Sequence, residues 1–417
     1  MRTLKITSWN INGISRKSLN ITKTSEDEFL GSVLPYDIIG LIETHTGPDD
    51  NISIKGYKTF QCNRPKASRA NKFSGGLAIL VRNNISKGVS LSKSGNYSIW
   101  LKLDKSFFGH TTDLYLCIAY LPPGNSTYSR HSETDCLNTL EQQVQHFSTL
   151  GNIIIMGDLN ARTSCNNDHI IDDTDKFLNN YLPYNIDKAL PRRASQDKIV
   201  NDRGSNLLDL CISSSLRILN GRKPGDSLGY FTCHKYNGSS LVDYGIVSES
   251  LFDDILYFQV HKDISDLSDH SQISMCIHNL NVSSETNDKI EQIPIERGFR
   301  WDDFSEYNFQ QALNNMSSPI NDFMLENFDH SGNETDLAVN KFNDILITAC
   351  NKSLQPYSKI NKSRNKQKKK PDKKWYGPSL KTMKSNLKKL GRLLHNNPYD
   401  SQIRENYFCH LKLYKKK

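Results

Sequence analysis

The sequence predicts an α/β (α+β) protein with a helical, basic C-terminal extension. Short apolar runs with strand character alternate with amphipathic helical stretches through residues 1–280, as expected where helices pack against sheets. The clearest strand is the apolar run 153–156, which Gly157 follows. Residues 359–417 carry 19 basic and 3 acidic side chains, which separates them from this body.

The net charge of +8 is unevenly distributed along the 417 residues. Residues 1–280 are balanced, with 29 basic and 29 acidic side chains, whereas residues 281–358 carry 5 basic and 13 acidic ones. A strongly basic block beside a balanced body is typical of proteins that bind nucleic acid or another polyanion. We therefore expect nucleic acid or another polyanion as a partner, and RNA is a candidate ligand of the basic C-terminal segment.

The sequence favours a nuclear or cytoplasmic protein that is neither secreted nor bound to a membrane. No stretch approaches the roughly 18 apolar residues of a membrane span, and the first residues enter a strand pattern without an apolar signal region. The nine cysteines are scattered along the chain and form no CxxC motif. We therefore expect reduced thiols and no zinc or redox site built on paired cysteines.

The individual elements are expected in chain order. Strands are predicted over residues 4–9, 38–42, 77–81, 98–103, 114–120, 153–156 and 272–277. Helices are predicted over residues 25–34, 133–149, 206–215, 299–316 and 335–353. Asn237-Gly238 predicts a tight β-hairpin over residues 234–240.

Composition divides the chain into four predicted parts. They are a body (1–280), an acidic helical connector (281–355), a basic linker (356–377) and a Lys-rich helical segment (378–417) with a break near Pro398. Residues 359–374 include nine basic side chains and cannot bury a core, so we expect the linker to be disordered.

Polar side chains follow the predicted strands at the points where those strands end. The set is Asn10, Asn12, Glu43, Tyr120, Asp158, Asn160, Asp243, Asp269 and His270. If the chain stays extended after its strand, Asp158 and Asn160 project from one face, because side chains two apart point the same way. Asp269 and His270 can share a site only if they lie in the turn before the last strand. Nine such residues predict one cleft.

Several of these residues also have an ordinary structural explanation. Asp158 and Asn160 fit an Asx-rich turn, and Glu43 fits a solvated carboxylate at a strand end. A single histidine such as His270 is more often structural than catalytic. The 234–240 hairpin fits a solvent-exposed turn.

Seven motifs together resemble the endonuclease/exonuclease/phosphatase superfamily, and most closely the endonuclease domain of non-LTR (LINE-type) retrotransposons. They are Trp9-Asn10-Ile11-Asn12-Gly13, Ile42-Glu43-Thr44, Gly75-Gly76-Leu77-Ala78, Tyr120-Leu121-Pro122-Pro123, Gly157-Asp158-Leu159-Asn160-Ala161, Val242-Asp243-Tyr244 and Ser268-Asp269-His270. The segment from Asn201 to Arg222 is similar to the same subgroup. The resemblance covers about 1–280 and implies a four-layered sandwich of two mixed sheets flanked by helices, with the active site at one edge.

The resemblance implies a Mg²⁺ site, with Mn²⁺ as an alternative ion. Glu43 would bind the metal, and Asn12 and Asp269 are further ligand candidates, since Mg²⁺ prefers oxygen ligands. Repair endonucleases of the superfamily carry aspartate at the position of Asn12, whereas retrotransposon members commonly carry asparagine.

The resemblance also implies catalytic roles. Asp158 would orient or deprotonate the attacking water, and Asn160 would hold that water or the phosphate. His270 would donate to the phosphate, with Asp243 fixing its other nitrogen and keeping it protonated. Two further side chains would complete the phosphate site: Tyr120 and Asn10.

The expected activity is Mg²⁺-dependent nicking of a DNA phosphodiester bond, as in target-primed retrotransposition. The 234–240 hairpin resembles the loop that retrotransposon nucleases place against the DNA groove. The expected DNA contacts are Arg192, Arg193, His234, Lys235, Tyr236 and the basic loop 64–72. In retrotransposon polyproteins a similar linker leads into a reverse transcriptase. This sequence contains none, so we expect the chain to be a truncated reading frame or a fragment.

Two alternatives remain open at this point. A phosphatase of the same superfamily would act on a small or lipid phosphate, although the Trp-Cys-Asp-Arg signature of inositol-polyphosphate phosphatases is absent next to Asp243. The other alternative is an inactive remnant that binds DNA without cutting it.

Overall fold

A computed structural model describes residues 2–16, 21–64, 66, 73–124, 135–170, 190–262, 264–279, 295–301, 305–326, 332–360 and 377–416. The strands are β1 Arg2–Asn10, β2 Ser15–Arg16, β3 Ile21–Thr22, β4 Ile38–Ile42, β5 Tyr57–Cys62, β6 Leu77–Arg82, β7 Val89–Ser94, β8 Ser98–Leu103, β9 Asp113–Tyr120, β10 Gly151–Asp158, β11 Leu216–Ile218, β12 Cys233–Lys235, β13 Gly238–Ser240, β14 Asp243–Ser248, β15 Ile255–Val260, β16 Ile273–Asn279, β17 Ile295–Arg300 and β18 Gln355–Ile360. The α-helices are α1 Asp27–Val33, α2 Lys105–Phe108, α3 Cys136–Ser148, α4 Asp202–Ser213, α5 Ser305–Asn314, α6 Ser317–Leu325, α7 Gly332–Ser353, α8 Pro378–Asn396 and α9 Ser401–Lys416.

Two six-stranded mixed sheets form the body. The first has the strand order β15-β16-β1-β4-β6-β5, and the second has the order β11-β14-β10-β9-β8-β7. Each sheet contains one parallel pair, β1 with β4 and β9 with β10, and its other pairs are antiparallel. The predicted α/β fold of two mixed sheets is confirmed.

The apolar run in β10 is buried on both of its faces. Ile154 and Met156 pack in the core between the two sheets. Ile153 and Ile155 pack on the opposite face, together with side chains of α3 and α4. Because successive side chains of a strand point to opposite faces, a strand covered on both sides has no polar alternation.

The first sheet is covered in the same way by α1. Phe29 and Val33 of α1 pack with Ile39 and Leu41 of β4, while Ile42 faces the other sheet. The order of layers is therefore helix, sheet, sheet, helix, and the four-layered sandwich is confirmed.

The segment near residue 299 differs from its prediction. A helix was predicted over 299–316, but β17 pairs with β18 in an antiparallel ladder, and α5 begins only at Ser305. The partner strand lies more than 50 residues further along the chain, so local periodicity carries no sign of it. β18 also overlaps the start of the predicted linker, of which residues 361–376 lie outside the described residues.

The predicted helical C-terminal extension is confirmed, since it forms α8 and α9 with a break that contains Pro398. Leu387, Leu394 and Tyr407 of these helices are buried against Ile264 of the body. Within the described ranges, no helix combines the length and apolar character needed to cross a membrane. The four-part division of the chain stays a prediction.

Candidate active site

The two sheets bring their polar strand ends together. Asp158 at the end of β10 is the register partner of Tyr120 on β9 and of Asp243 on β14. These three residues therefore form a row across the second sheet. Asn10 at the end of β1, in the first sheet, donates through Nδ2 to Asp158 Oδ2 over 2.9 Å. The predicted cleft lies where the ends of these strands from the two sheets meet.

Gly157 is needed for Asp158 to reach this position. Its φ is +151°, and a Cβ atom at Gly157 would lie 2.0 Å from the carbonyl oxygen of Ala119 on β9. Only glycine allows β10 to stay paired with β9 up to the carboxylate.

The expectation that Asp158 and Asn160 project from one face required an extended chain. The structure differs, because the backbone turns directly after these strands. Asn12, Glu43 and Asn160 have φ angles of 45°, 52° and 47°. The backbone N–H of Asn160 donates to Asp158 Oδ1 over 3.1 Å, and that of Asn12 donates to Asn10 Oδ1 over 3.1 Å. Both pairs are thus Asx-type turns at the same site, and left-handed non-glycine residues of this kind cluster at functional sites.

His270 lies between two buried carboxylates. Its Nδ1 is 2.9 Å from Asp243 Oδ2, and its Nε2 is 4.0 Å from Asp158 Oδ2. Burial alone would lower the pKa of His270, but Asp243 outweighs this effect and the pKa is raised well above its ordinary value. His270 is therefore protonated and donates its Nδ1–H to Asp243.

Asp158 titrates near neutral pH. Its side chain is 2% exposed. Burial and then the negative charge of Asp243 raise its pKa to about 7, while His270 and the Asn10 hydrogen bond act in the opposite direction. A carboxyl group with this pKa can accept and release a proton at physiological pH.

The three predicted metal ligands take part in two separate hydrogen bonds, one between Asn12 and Asp269 and one between Glu43 and Tyr120. Asn12 Nδ2 donates to Asp269 Oδ1 over 3.0 Å. Although burial opposes it, the charge of His270 and this hydrogen bond lower the pKa of Asp269, which stays a carboxylate. Glu43 accepts a short hydrogen bond from the Tyr120 hydroxyl. Burial and Glu43 raise the pKa of Tyr120, so this phenol remains a donor.

Two clusters of potential ligand atoms occur in the cleft, but both include His270, which cannot bind a metal while it is protonated. Among the described residues, the atoms within 4.8 Å of one another belong to Asp158, Asp243 and His270, and to Cys233, Asp269 and His270. Glu43 belongs to neither set, but its charge contributes to the raised pKa of Asp158. Asp269 and His270 precede β16, as their expected shared site requires.

Several residues that support the site were not singled out from the sequence. Trp9 Nε1 donates to the carbonyl of His270 over 2.8 Å, and Ser268 Oγ accepts from the His270 N–H over 3.0 Å. Asn220 Nδ2 donates to the carbonyl of Asp243 over 3.1 Å. Trp9 and Ser268 lie in the quoted motifs and Asn220 lies in the segment from Asn201 to Arg222, but no local pattern reveals partners up to 261 residues away.

The expected DNA contacts fall into two groups. Arg192, Lys235 and Tyr236 are exposed. Arg193 is 3% exposed and donates to oxygen atoms of the 163–166 segment, so we leave it out of the proposed DNA surface. His234 is also buried, and its Nδ1 lies 3.1 Å from Ser239 Oγ.

The basic loop 64–72 is described only at residues 64 and 66. Arg64 is buried, donates to the carbonyl of Asn96 over 2.9 Å and lies 5.1 Å from the centre of the Tyr120 ring. This arginine therefore supports the cleft from inside the protein. Because Arg64 is buried beside Tyr120, we leave it out of the proposed DNA surface.

A family model described as the endonuclease/exonuclease/phosphatase family matches residues 7–270. The match covers more than half of the chain and includes every proposed catalytic and metal residue. The chain belongs to the endonuclease/exonuclease/phosphatase family. The resemblance stated from the motifs is confirmed at this level. A comparison with curated proteins gave no match.

Three solved structures illustrate what the chain is similar to. The first is an aspartate-to-asparagine variant of the 3′ phosphatase NExo from Neisseria, bound to a product DNA hairpin. It is 16% identical with a TM-score of 0.43, and the aligned region covers 66% of this chain and 99% of the NExo chain. AP endonuclease LMAP from Leishmania major is 14% identical with a TM-score of 0.47, covering 67% and 88%. The endonuclease domain of TRAS1, a telomere-specific non-LTR retrotransposon, is 14% identical with a TM-score of 0.41, covering 67% and 100%.

Proposed function

We propose that the protein is a divalent-metal-dependent endonuclease that nicks DNA, as in target-primed retrotransposition. The observation that carries the proposal is the position of His270, whose Nδ1 lies 2.9 Å from Asp243 Oδ2 and whose Nε2 lies 4.0 Å from Asp158 Oδ2. A cationic donor and a carboxylate that titrates near pH 7 are the two proton-handling groups that phosphodiester hydrolysis needs.

The negative charge of the cleft favours a divalent cation. Asp243 and Glu43 both raise the pKa of Asp158, so the cleft concentrates negative charge that a cation would offset. Glu43, Asp269 and the Oδ1 atom of Asn12 would be the ligands, since Asn12 uses its Nδ2 to donate to Asp269. Mg²⁺ or Mn²⁺ would polarise the phosphate and stabilise charge that develops on its oxygens.

The protein side chains would divide the remaining work. Asp158 would take a proton from the attacking water, and its carboxylate is oriented by Asn10 Nδ2 and by the Asn160 N–H. Asn160 donates through Nδ2 to the carbonyl of Leu121 over 2.9 Å, which leaves its Oδ1 to orient the water. His270 would donate from Nε2 to a non-bridging phosphate oxygen.

Metal removal tests this proposal directly. We expect the purified protein to convert supercoiled plasmid to the open circular form with Mg²⁺, and EDTA to abolish the conversion. Added excess Mg²⁺ should restore it. Gel electrophoresis over a time course measures the rate.

The same experiment separates the alternatives. Phosphate release from inositol phosphates, with plasmid left intact, would favour a phosphatase. Plasmid binding without nicks at any metal concentration would favour an inactive DNA-binding remnant. Either result would overturn the endonuclease proposal.

The exposed residues Arg192 and Lys235 are proposed to contact DNA phosphates. Replacing either with glutamine is expected to weaken binding about equally for all DNA sequences. It should also reduce the slope of log K against log salt by about 1, because one fewer counterion is released. Fluorescence anisotropy across a salt series measures both effects.

Lys87→Gln is the matched control. Lys87 is exposed and follows β6 at the end of the sheet opposite the cleft. A slope unchanged from wild type in Arg192→Gln and Lys235→Gln, as in this control, would remove these residues from the DNA surface.

A further inference from the structure

The helical pair α8–α9 packs against the body beside the cleft. A Cβ atom at Gly391 in α8 would lie 2.4 Å from the carbonyl oxygen of Ile264, so the helix directly contacts the backbone of the body. Lys384 of α8 forms an ion pair with Glu28, and its Nζ lies 3.6 Å from Asp266 Oδ1. These contacts attach the helical pair to the segment that leads into the turn before β16.

The β12–β13 hairpin is joined to that same turn. The backbone N–H of His234 donates to the carbonyl of Asp269 over 2.8 Å, and Cys233 forms an antiparallel β-bridge with His270. Burial raises the pKa of Asp269, but the charge of His270, hydrogen bonds and the charge of Lys235 lower it. The β-hairpin and the ammonium group of Lys235 are therefore close to the cleft.

Arg404 of α9 holds this β-hairpin on both of its strands. Its Nη1 donates to the carbonyl of Lys235 over 2.7 Å, and its Nη2 donates to Ser239 Oγ over 3.0 Å. Nη2 also donates to the carbonyl of Pro398, which lies in the break between α8 and α9. One guanidinium thus joins β12, β13 and the helical pair, a task that suits the planar arrangement of donors in arginine.

Ring contacts extend this interface on both sides of the guanidinium. Tyr236 and Phe408 meet edge to face with centroids 5.9 Å apart, and Phe231 and Tyr399 do so at 5.7 Å. β12 and β13 have only three residues each. Because a single two-stranded hairpin is at best marginally stable in water, its orientation depends on packing against the helical pair.

We propose that α9, through Arg404, fixes the β12–β13 hairpin and so positions Lys235 to contact DNA beside the cleft. Arg404 is a positioning residue in this assignment, because it binds the backbone of Lys235 while the lysine side chain is exposed. A backbone that is already fixed lets the lysine bind a phosphate at a lower entropic cost. The assignment rests on the proposed endonuclease function, in which Lys235 is a DNA contact.

Hydrogen exchange tests the positioning role without DNA. Arg404→Gln removes the guanidinium, and the backbone amides of residues 235–240 should then exchange about tenfold faster, the value of one hydrogen bond to a charged group. Arg404→Lys keeps the charge but not the planar donors, so it should restore only part of the protection. Lys412→Gln is the matched control, since Lys412 is exposed on the same helix. Thermal melting checks that each variant is folded.

A double-mutant cycle shows whether Arg404 acts through Lys235. Fluorescence anisotropy measures the affinity for a labelled DNA duplex in EDTA, which prevents metal-dependent cleavage. We expect Arg404→Gln to weaken binding about fivefold, within the range of the cost of ordering one side chain. The double variant Arg404→Gln/Lys235→Gln should bind as Lys235→Gln alone does, whereas Arg404→Gln and Arg192→Gln should have additive effects.

The outcomes separate this proposal from the endonuclease function. Unchanged exchange or unchanged affinity in Arg404→Gln would overturn the positioning role, even if the wild-type protein nicks plasmid. Additive effects of Arg404→Gln and Lys235→Gln would also overturn it, because Arg404 would then act independently of Lys235. If plasmid is never nicked but the exchange and the cycle behave as expected, the endonuclease proposal fails and the positioning role stands.

Discussion

Replacing Asp158 with asparagine is expected to lower the rate of metal-dependent nicking by about a thousandfold. A positioned general base typically contributes a factor of about 10²–10⁴. Asparagine keeps the shape of the side chain and an oxygen for the Asn10 donor that now lies 2.9 Å from Asp158, but it cannot accept a proton from water. Single-turnover cleavage of a labelled duplex measures the chemical step.

The folded state should tolerate this change. Burial and the charge of Asp243 raise the pKa of Asp158 to about 7. Its ionised form is thus disfavoured in the folded protein, and stability is lost as the pH rises towards that value. At pH 8 without metal, Asp158→Asn should therefore melt no lower than the wild-type protein.

Asp209→Asn is the matched control, because Asp209 is exposed on α4. It should nick at the wild-type rate. If Asp158→Asn also cleaves within a few-fold of wild type while remaining folded, Asp158 is not the base. The mechanism would then need another proton acceptor in the cleft.

The sequence predicted the members of the cleft better than it predicted their geometry. The apolar runs at 38–42 and 153–156 mark strands that are buried on both faces, so the polar residues that follow them stand out. The apolar runs do not predict that the ends of β1 and β10 meet. These strands belong to different sheets, and their contact depends on how the two sheets pack. The sequence also did not predict the left-handed turn at Asn160, because asparagine is common in turns that have no function.

Three features at the periphery of the fold could not be predicted from local sequence patterns. β7 has one buried residue, Val89, followed by five exposed ones, so it lacks the apolar alternation of a half-buried strand. Arg193 was read as an exposed cation because arginine is usually exposed, yet its oxygen partners lie 27 to 30 residues earlier in the chain. Helical periodicity predicted α8 and α9, but it cannot show which surface their apolar faces cover.

Removing the carboxylate of Asp168 is expected to destabilise the body by about 3–5 kcal/mol, the usual cost of leaving one member of a buried ion pair alone. Asp168 accepts from both terminal nitrogens of Arg222 at 2.7 Å and from the backbone N–H of Ile218 at 2.6 Å. Both charged side chains are fully buried. Asp168→Ala would therefore leave a guanidinium without its counter-charge, and the melting temperature should fall by about 10 °C.

The pH dependence of this pair gives an independent check. Burial opposes ionisation, but the Arg222 hydrogen bonds and charge lower the pKa of Asp168 from its ordinary value to about 2. A lowered pKa means that the contribution is complete above about pH 4 and is lost as the pH falls towards 2. The shift corresponds to about 2 kcal/mol. Wild-type stability should fall across that window more steeply than stability of Asp168→Asn.

The double variant Asp168→Leu/Arg222→Met separates the value of the pair from the cost of breaking it. Replacing both members leaves no buried charge, so the double variant should recover much of the stability lost in either single variant. Asp209→Ala is the control for removing an exposed carboxylate. The pair also fixes the segment that carries Asn220, which holds the backbone of Asp243. A loss of nicking in the stable double variant would show that the Asp168–Arg222 pair positions Asp243 as well as stabilising the fold. Full activity would limit the role of the pair to stability.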